Sequence, residues 1–338
     1  MVIAEKALIA KIRRQTRTAG MNRAVVAGIG DDCAVLRLSR TGRGRREELA
    51  RENDTLVTTD FCLEGIHFRR DWHPAESVGH RCLARGLSDI AAMGGEPVAA
   101  FLSLALARDV PQSWVNRFVR GLISLAEKYG VTLAGGDTAE SPTGILADIV
   151  VVGTVPRGKA VLRSGARPGD RIYVSGEVGG SAAALSQMRR LRKNTKGKLN
   201  PRQYPRHFFP DPRMELGRIL REKGLASAMI DTSDGLSTDL AHLCEESGVG
   251  AELLAESIPR ASVGKPLREV DLQFALHGGE DYELLFTASK RIPSRIAGVP
   301  ITQIGHITRR RKIFLMTEGE SGRAGYELEP QGWEHFRK

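Results

Sequence analysis

Apolar runs of strand length alternate along the chain with helical segments, and one run after another ends in Asp beside Gly, Ser or Thr. The alternation constrains the fold most, because runs that bury one face of a sheet need helices to cover it. It predicts a mixed α/β protein. The loop AGIGDD precedes the run CAVLRL, and DTLVTTDFCLEGIHF carries a strand into Asp60. PVAAFLSLAL, VTLAGGD and ILADIVVVGTV follow, then RIYVSG, AMIDTSDGL and YELLFTA. Between them, helices are expected from Glu5 to Arg17, from Pro74 toward Met93, where Gly94 and Gly95 stop it, and from Pro111 to about Tyr129. SAAALSQMRRL, DPRMELGRILREKG and STDLAHLCEESG continue the pattern. The N-terminus of SAAALSQMRRL, after Gly179 and Gly180, is a place where a phosphate could sit. RSGARPGD, from Arg163 to Asp170, concentrates Gly, Pro and charge, which marks a turn between two units, 1–155 and 156–338.

With 338 residues, 41% of them hydrophobic, the chain can bury the cores of about two domains. Its first residues lack the apolar core of a signal peptide, and no run of spanning length occurs, so a cytoplasmic protein with no membrane partner is expected. Cys33, Cys62, Cys82 and Cys244 have neither CxxC spacing nor His partners in ligand register, and read as packed thiols. The formal charge of +10 raises the question of a polyanionic partner. Much of the excess lies in RTGRGRRE, Arg40 to Glu47, and in RRLRKNTKGKLNPRQYPR, Arg189 to Arg206. Neither interleaves aromatic rings among its cations, as a stacking platform for nucleic acid would. Both read as solvated loops, and a basic nucleic-acid-binding protein stands as the rival from another class.

The acids are more informative. Asp31 with Asp32, Asp60, Asp89, Asp137, Asp231 with Asp234, and Glu280 with Asp281 share one grammar, an apolar element followed by a carboxylate in a small-residue turn. One such pair alone is an ordinary turn. Magnesium, however, takes oxygen ligands, one or two carboxylates with phosphate and water, so several ions on a polyphosphate need a dispersed supply of this kind. Asp89 stands out. Leu83, Leu87, Ile90, Ala91 and Ala92 surround it on nearly every face of its helix, which is therefore expected to be buried. A buried carboxylate costs several kcal/mol unless paired or metal-bound; a salt bridge to Arg81 or Arg85 is the plainer alternative. No GxxxxGK[ST] loop occurs and no protein-kinase set can be assembled, so any bound ATP must be held through metal ions.

GIGDDCAVL, TTDFCLEGIHF, LARGLSDIAAMGGEP, LAGGD, LRSGARPGD, IDTSDGLSTDL and HGGEDYELLFT occur in an order that resembles the thiamine-monophosphate kinase family, over nearly the whole chain. That family is similar to aminoimidazole ribonucleotide synthetase, selenophosphate synthetase and the hydrogenase maturation carbamoyl-dehydratase. The resemblance implies a two-domain fold of the aminoimidazole-ribonucleotide-synthetase type: an N-terminal α/β domain whose strands pair across a homodimer, and a C-terminal α+β domain. It implies direct transfer of a phosphoryl group from ATP to thiamine monophosphate, giving thiamine diphosphate and ADP. By the same resemblance, Asp32, Thr58, Thr59, Asp60, Asp89, Asp137, Asp231 and Asp234 are expected as magnesium ligands. Gly136, Asp137, Arg163 and Ser233 are expected to contact ATP, and His67, Glu280 and Trp333 to hold the thiamine phosphate. Asp60, Asp89, Asp137, Arg163 and Asp234 are the residues expected to carry the chemistry.

Physical chemistry agrees with this reading. Joining two phosphates brings several negative charges together, which magnesium ions and Arg163 would neutralise. The acceptor oxygen is already ionised near neutral pH, so no general base is required. Glu280 could face the cationic thiazolium or the aminopyrimidine, and Trp333 could stack on that ring. The loop FCLEGIHF differs from the DGVGTK-like pattern of the ribonucleotide synthetase, and Cys62 stands where the family more often has an aliphatic residue. The enzymatic alternative is another ATP-dependent activation within the superfamily, such as ligation through an acyl phosphate.

Overall fold

The computed structural model describes residues 5–18, 22–37, 52–191, 200–319 and 322–336. The Arg-rich segment from Arg40 to Glu47 lies outside these residues, as does 192–199 within the second cluster.

An amphipathic helix, α1 (Glu5–Thr18), precedes two short strands, β1 (Val25–Ala27) and β2 (Ala34–Leu36), and the long β3 (Asn53–Leu63). After α2 (Ala75–Ala92) come β4 (Glu96–Leu106), α3 (Gln112–Tyr129), β5 (Thr132–Glu140) and β6 (Ile145–Pro156). The six strands form one sheet in the order β1-β2-β3-β6-β4-β5. Its pairs are antiparallel except β4 with β5, which run parallel because α3 carries the chain back between them.

Strict alternation sorts the residues of β3 and β6 between the two faces. Leu56, Thr58 and Cys62 of β3, with Ala147, Ile149 and Val151 of β6, are buried beneath the helices. The opposite face carries Phe61, Phe101 and Leu146, exposed by 53%, 38% and 37%. They sit in different rows, with Thr59, Asp148 and Ser103 on the same face between them.

The second unit builds another sheet. Its order is Gly322–Glu327, Ile313–Gly319, Gly250–Leu254, Val299–Thr308, Arg171–Ser175, Leu284–Ala288 and Ala228–Asp231, with the short strand Arg295–Ile296 beside Val299–Thr308. One core of this unit packs Leu236, Leu240 and Leu243 of the helix Leu236–Ser247 against Ile172, Ile230, Leu285 and Ile307. The sheet's other side contributes Tyr173, Met229, Leu284 and Phe286 to the first unit's core.

Helix α2 therefore lies between the two units, as its all-round apolar character predicts. Leu83, Leu87, Ile90 and Met93 are fully buried, each stabilising the fold by about 2 kcal/mol relative to exposure. It packs closely on α3, where Gly79 and Gly121 let the backbones approach: a Cβ at Gly121 would lie 1.9 Å from the carbonyl oxygen of Glu76.

Candidate active site

Each unit sends acids to the seam that α2 occupies. The loop between β1 and β2 supplies Asp32, β3 supplies Thr58 and Asp60, α2 supplies Asp89, and the end of strand Ala228–Asp231 supplies Asp231. Carboxylate oxygens of Asp32, Asp89 and Asp231 lie within 4.8 Å of one another, although the residues are far apart in sequence. The neighbours of these acids are mostly hydroxyls. Thr58 Oγ1 donates to Asp89 Oδ2, and Ser88 Oγ donates to Asp231 Oδ2 at 2.6 Å. Only Asp32 of the three is bound by a guanidinium, Arg163 Nη2 at 2.7 Å.

The salt-bridge alternative for Asp89 therefore fails. Arg81 and Arg85 turn instead to Glu280, both binding its Oε1, at 2.6 and 3.2 Å. Arg85 Nε also reaches Asp60 Oδ1 at 3.4 Å.

Uncompensated charge shows in the proton affinities. Burial, reinforced by Asp60, Asp231 and Asp32, drives the Asp89 carboxyl well above its ordinary range. Burial and then Asp32 push Asp231 to about 7 despite the hydroxyl of Ser88. Asp234 is pushed to about 6, first by burial and then by Glu5. For Glu280 burial pulls upward, but Arg81 and Arg85 outweigh it and hold the carboxyl at about 2. An oxygen-only cluster that resists ionisation on its own suits a hard divalent cation.

The cluster opens into a cavity of about 1040 Å³. Asp32, Thr58, Thr59, Asp60, Asp89, Arg163, Ser233 and Asp234 line it, and His67, Glu280 and Trp333 join them. Backbone bonds lace these parts together. The Glu280 amide donates to the Ser233 carbonyl at 2.8 Å, and the Trp333 amide to the Asp234 carbonyl at 2.9 Å. The Leu63 amide donates to His67 Nδ1 at 3.0 Å, which fixes the proton of the neutral ring on Nε2. Burial, then Arg85, lowers the His67 pKa to about 3, so this imidazole stays neutral. The rings of His67 and His335 meet edge to face at 5.6 Å, and those of Trp333 and His335 at 5.8 Å.

Two expected participants lie elsewhere. Gly136 and Asp137 are on β5, at the edge of the first sheet, and do not line the cavity. Asp137 is in register with Ser103, and Ser103 with Asp148, whose carboxylate accepts from Thr59 at 2.7 Å. The pleat sets this row on the open face of the sheet, opposite Asp89. A Cβ at Gly136 would lie 1.8 Å from the Leu102 carbonyl oxygen, so the turn of the strand there requires glycine.

The helix Gly180–Leu191 also departs from expectation. Its first amides are taken by a carboxylate of the protein: Gly179 N–H donates to Asp281 Oδ2 at 2.5 Å and Ser181 N–H to Oδ1 at 3.1 Å. A phosphate has no claim on a terminus already capped by Asp281.

Glu5, Arg85 and His335 line the cavity without having been singled out for a role there. Arg85 carried a signal, since it precedes Asp89 by one helical turn; Glu5 and His335 arrive only through the tertiary meeting of α1 with the C-terminal tail, where His335 N–H donates to Glu5 Oε2 at 2.6 Å. Among the described residues no helix is long and apolar enough to cross a membrane.

Comparison with known proteins agrees with the architecture. Residues 30–155 match AIR synthase related protein, N-terminal domain, and residues 167–317 match AIR synthase related protein, C-terminal domain. These two matches define the class, an AIR synthase related protein of two domains. Thiamine-monophosphate kinase of Salmonella typhimurium is 38% identical over 91% of this chain and 91% of its own. The enzyme of the same name from Bacillus subtilis is 33% identical, covering 93% and 94%. A solved structure of AaThiL complexed with AMPPCP and TMP superposes with a TM-score of 0.79 at 30% identity, covering 98% of this chain and 97% of that one. The chain belongs to the thiamine-monophosphate kinase family.

Proposed function

We propose that this protein transfers the γ-phosphoryl group of ATP to thiamine monophosphate, giving thiamine diphosphate and ADP. The observation that carries the reading is the meeting of Asp32, Asp89 and Asp231, with oxygens within 4.8 Å, where Asp32 and Asp89 line a cavity that His67, Glu280 and Trp333 also line.

Asp32, Asp89 and Asp231 are the residues that would hold magnesium, with Thr58, Asp60 and Asp234 around them; the Thr59 hydroxyl, bonded to Asp148, would join Asp137 on the sheet's other face. The ions would supply charge neutralisation on the polyphosphate and a template for in-line displacement. Arg163, held by Asp32, and Ser233 face the nucleotide. His67 Nε2–H donates to the acceptor phosphate as a neutral group and adds no charge that would have to be lost at higher pH. Trp333 offers a face to the cationic ring of the acceptor. An acceptor phosphate oxygen bonds to the γ-phosphorus while the bond to the β,γ-bridging oxygen breaks, and that electron pair leaves on ADP. Since the attacking oxygen is already ionised, positioning and electrostatics perform the catalysis.

The open face of the first sheet fits a second copy of the chain. Phe61, Phe101 and Leu146 would be covered there, and Asp137 of each copy would reach the other copy's nucleotide. Twofold pairing of identical faces is the commonest oligomer.

The test is an assay of purified protein with magnesium and ATP. ADP should appear only when thiamine monophosphate is supplied, and the Asp89→Ala variant should be folded but inactive. Turnover of formylglycinamidine ribonucleotide with none of thiamine monophosphate would overturn the assignment.

A further inference from the structure

Arg85 lies at the junction of the two halves of the cavity. It is one helical turn before Asp89 on α2, lines the cavity, and keeps only 14% of its side chain exposed. Its contacts run to both sides: Nε to Asp60 at 3.4 Å, Nη1 to Glu280 Oε1 at 3.2 Å and to the Tyr282 hydroxyl at 3.1 Å. No acceptor for Nη2 is found among the described residues.

Glu280 keeps a second guanidinium if Arg85 turns to a ligand. Arg81, whose side chain is only 2% exposed and which does not line the cavity, already binds the same Oε1 at 2.6 Å. The four charges Arg81, Arg85, Glu280 and Asp60 balance in the free protein. Once Asp60 is engaged as a metal ligand, one positive charge is left without a partner, and of the two guanidiniums only that of Arg85, with 14% of its side chain exposed against 2% for Arg81, lines the cavity. Burying a cation in this way is costly unless an anion meets it. The planar fork of Arg suits phosphate oxygens.

We propose that Arg85 is a catalytic residue that spans the donor and acceptor phosphates and neutralises the charge that gathers between them during transfer. The inference rests on the phosphoryl-transfer reading above and adds to it a residue on the seam between the two substrates. Arg163 neutralises charge at the Asp32 side; Arg85 does so between Asp60 and Glu280, where the new bond forms.

The test uses the full chain with Arg85→Gln and Arg85→Lys, each checked for folding by thermal melting. Wild-type turnover of thiamine monophosphate reports on the underlying reading, and the ratio of variant to wild type reports on Arg85. For Arg85→Gln, kcat should fall about 100- to 1000-fold, while calorimetry shows binding of magnesium with a non-hydrolysable ATP analogue changed by less than about threefold. Affinity for ADP, magnesium and aluminium fluoride with thiamine monophosphate, a mimic of the transferring group, should fall in step with kcat. Arg85→Lys, which keeps the charge and loses the fork, should recover part of both, and this variant decides the matter if Arg85→Gln does not fold. A kcat within about threefold of wild type in a folded variant, or a loss of analogue binding as large as the loss of kcat, would overturn the proposal.

Discussion

Asp231 is 1% exposed, hydrogen-bonded only to Ser88 among the described residues, and in reach of two other carboxylates. Its pKa of about 7 in the folded chain lies above the ordinary 3.8. Between about pH 4 and pH 7 the folded state holds a proton that the unfolded state has shed, so this group's contribution to stability falls as pH rises across that window. Magnesium favours the ionised form and should reverse the trend. Without metal, the melting temperature of the wild type should drop more steeply between pH 4 and pH 7 than that of Asp231→Asn, and the rise on adding magnesium should grow more steeply with pH in the wild type. Parallel melting curves for the two proteins, with equal responses to magnesium, would refute a cluster built around this carboxylate. The sequence made Asp32, Asp89 and Asp231 legible as acids in like surroundings, because small-residue turns after apolar runs are written in the residues themselves. It did not tell which acids face one another. The burial of Asp89 followed from its apolar neighbours, but its partner Thr58 is 31 positions away, and nothing local distinguishes that hydroxyl from a guanidinium four residues off.

At the scale of elements, α2 and α3 meet through glycine. Gly79 would set a Cβ 1.9 Å from the carbonyl oxygen of Phe118, and Gly121 would do the same to Glu76. Backbone cannot yield as a side-chain tip does, so the helices must part. Gly121→Ala should destabilise the protein by about 3 kcal/mol, read by chemical denaturation, and should lower kcat by loosening α2, which carries Asp89. Unchanged stability would mean that the helices slide apart at no cost. Most strands and helices around the cavity were readable from alternation, from Pro before the first turn and from Gly after the last. Val299–Thr308 was not. Its buried residues are Ile301, Ile304 and Ile307; the first packs in one core and the other two in the core on the opposite side, and the register slips between Gln303 and Gly305. A bulge of this kind erases the period of two by which a strand is recognised. The capping of Gly180–Leu191 by Asp281 was hidden for another reason: the carboxylate arrives from a hundred residues away.

For the whole molecule, the positions of Asp89 and Asp137 on opposite faces of one sheet lead to a complementation test. If two copies pair by their open faces, a site takes Asp89 from one chain and Asp137 from the other. Asp89→Ala and Asp137→Ala proteins should each be inactive alone. Co-refolded in equal amounts, they should regain roughly a quarter of wild-type activity, since half the twofold pairs would be mixed and each would hold one intact site. No recovery, or a monomeric mass by light scattering, would refute the shared site. The open face was not legible in the sequence, because alternation with residues such as Phe61 and Leu146 on the outward side cannot say what covers them; resemblance implied only strand pairing across a homodimer. Finally, Arg81, Arg85 and Asp89 stand at four-residue steps on one rod, tied to Glu280, to Asp60 and to Thr58 in turn. Each step advances about 6 Å along the axis, so the helix acts as a ruler whose marks set how far Glu280 is held from the acid cluster. One residue inserted between the last two marks would swing the acid by about 100°, and a chain with every functional side chain intact would lose its measure.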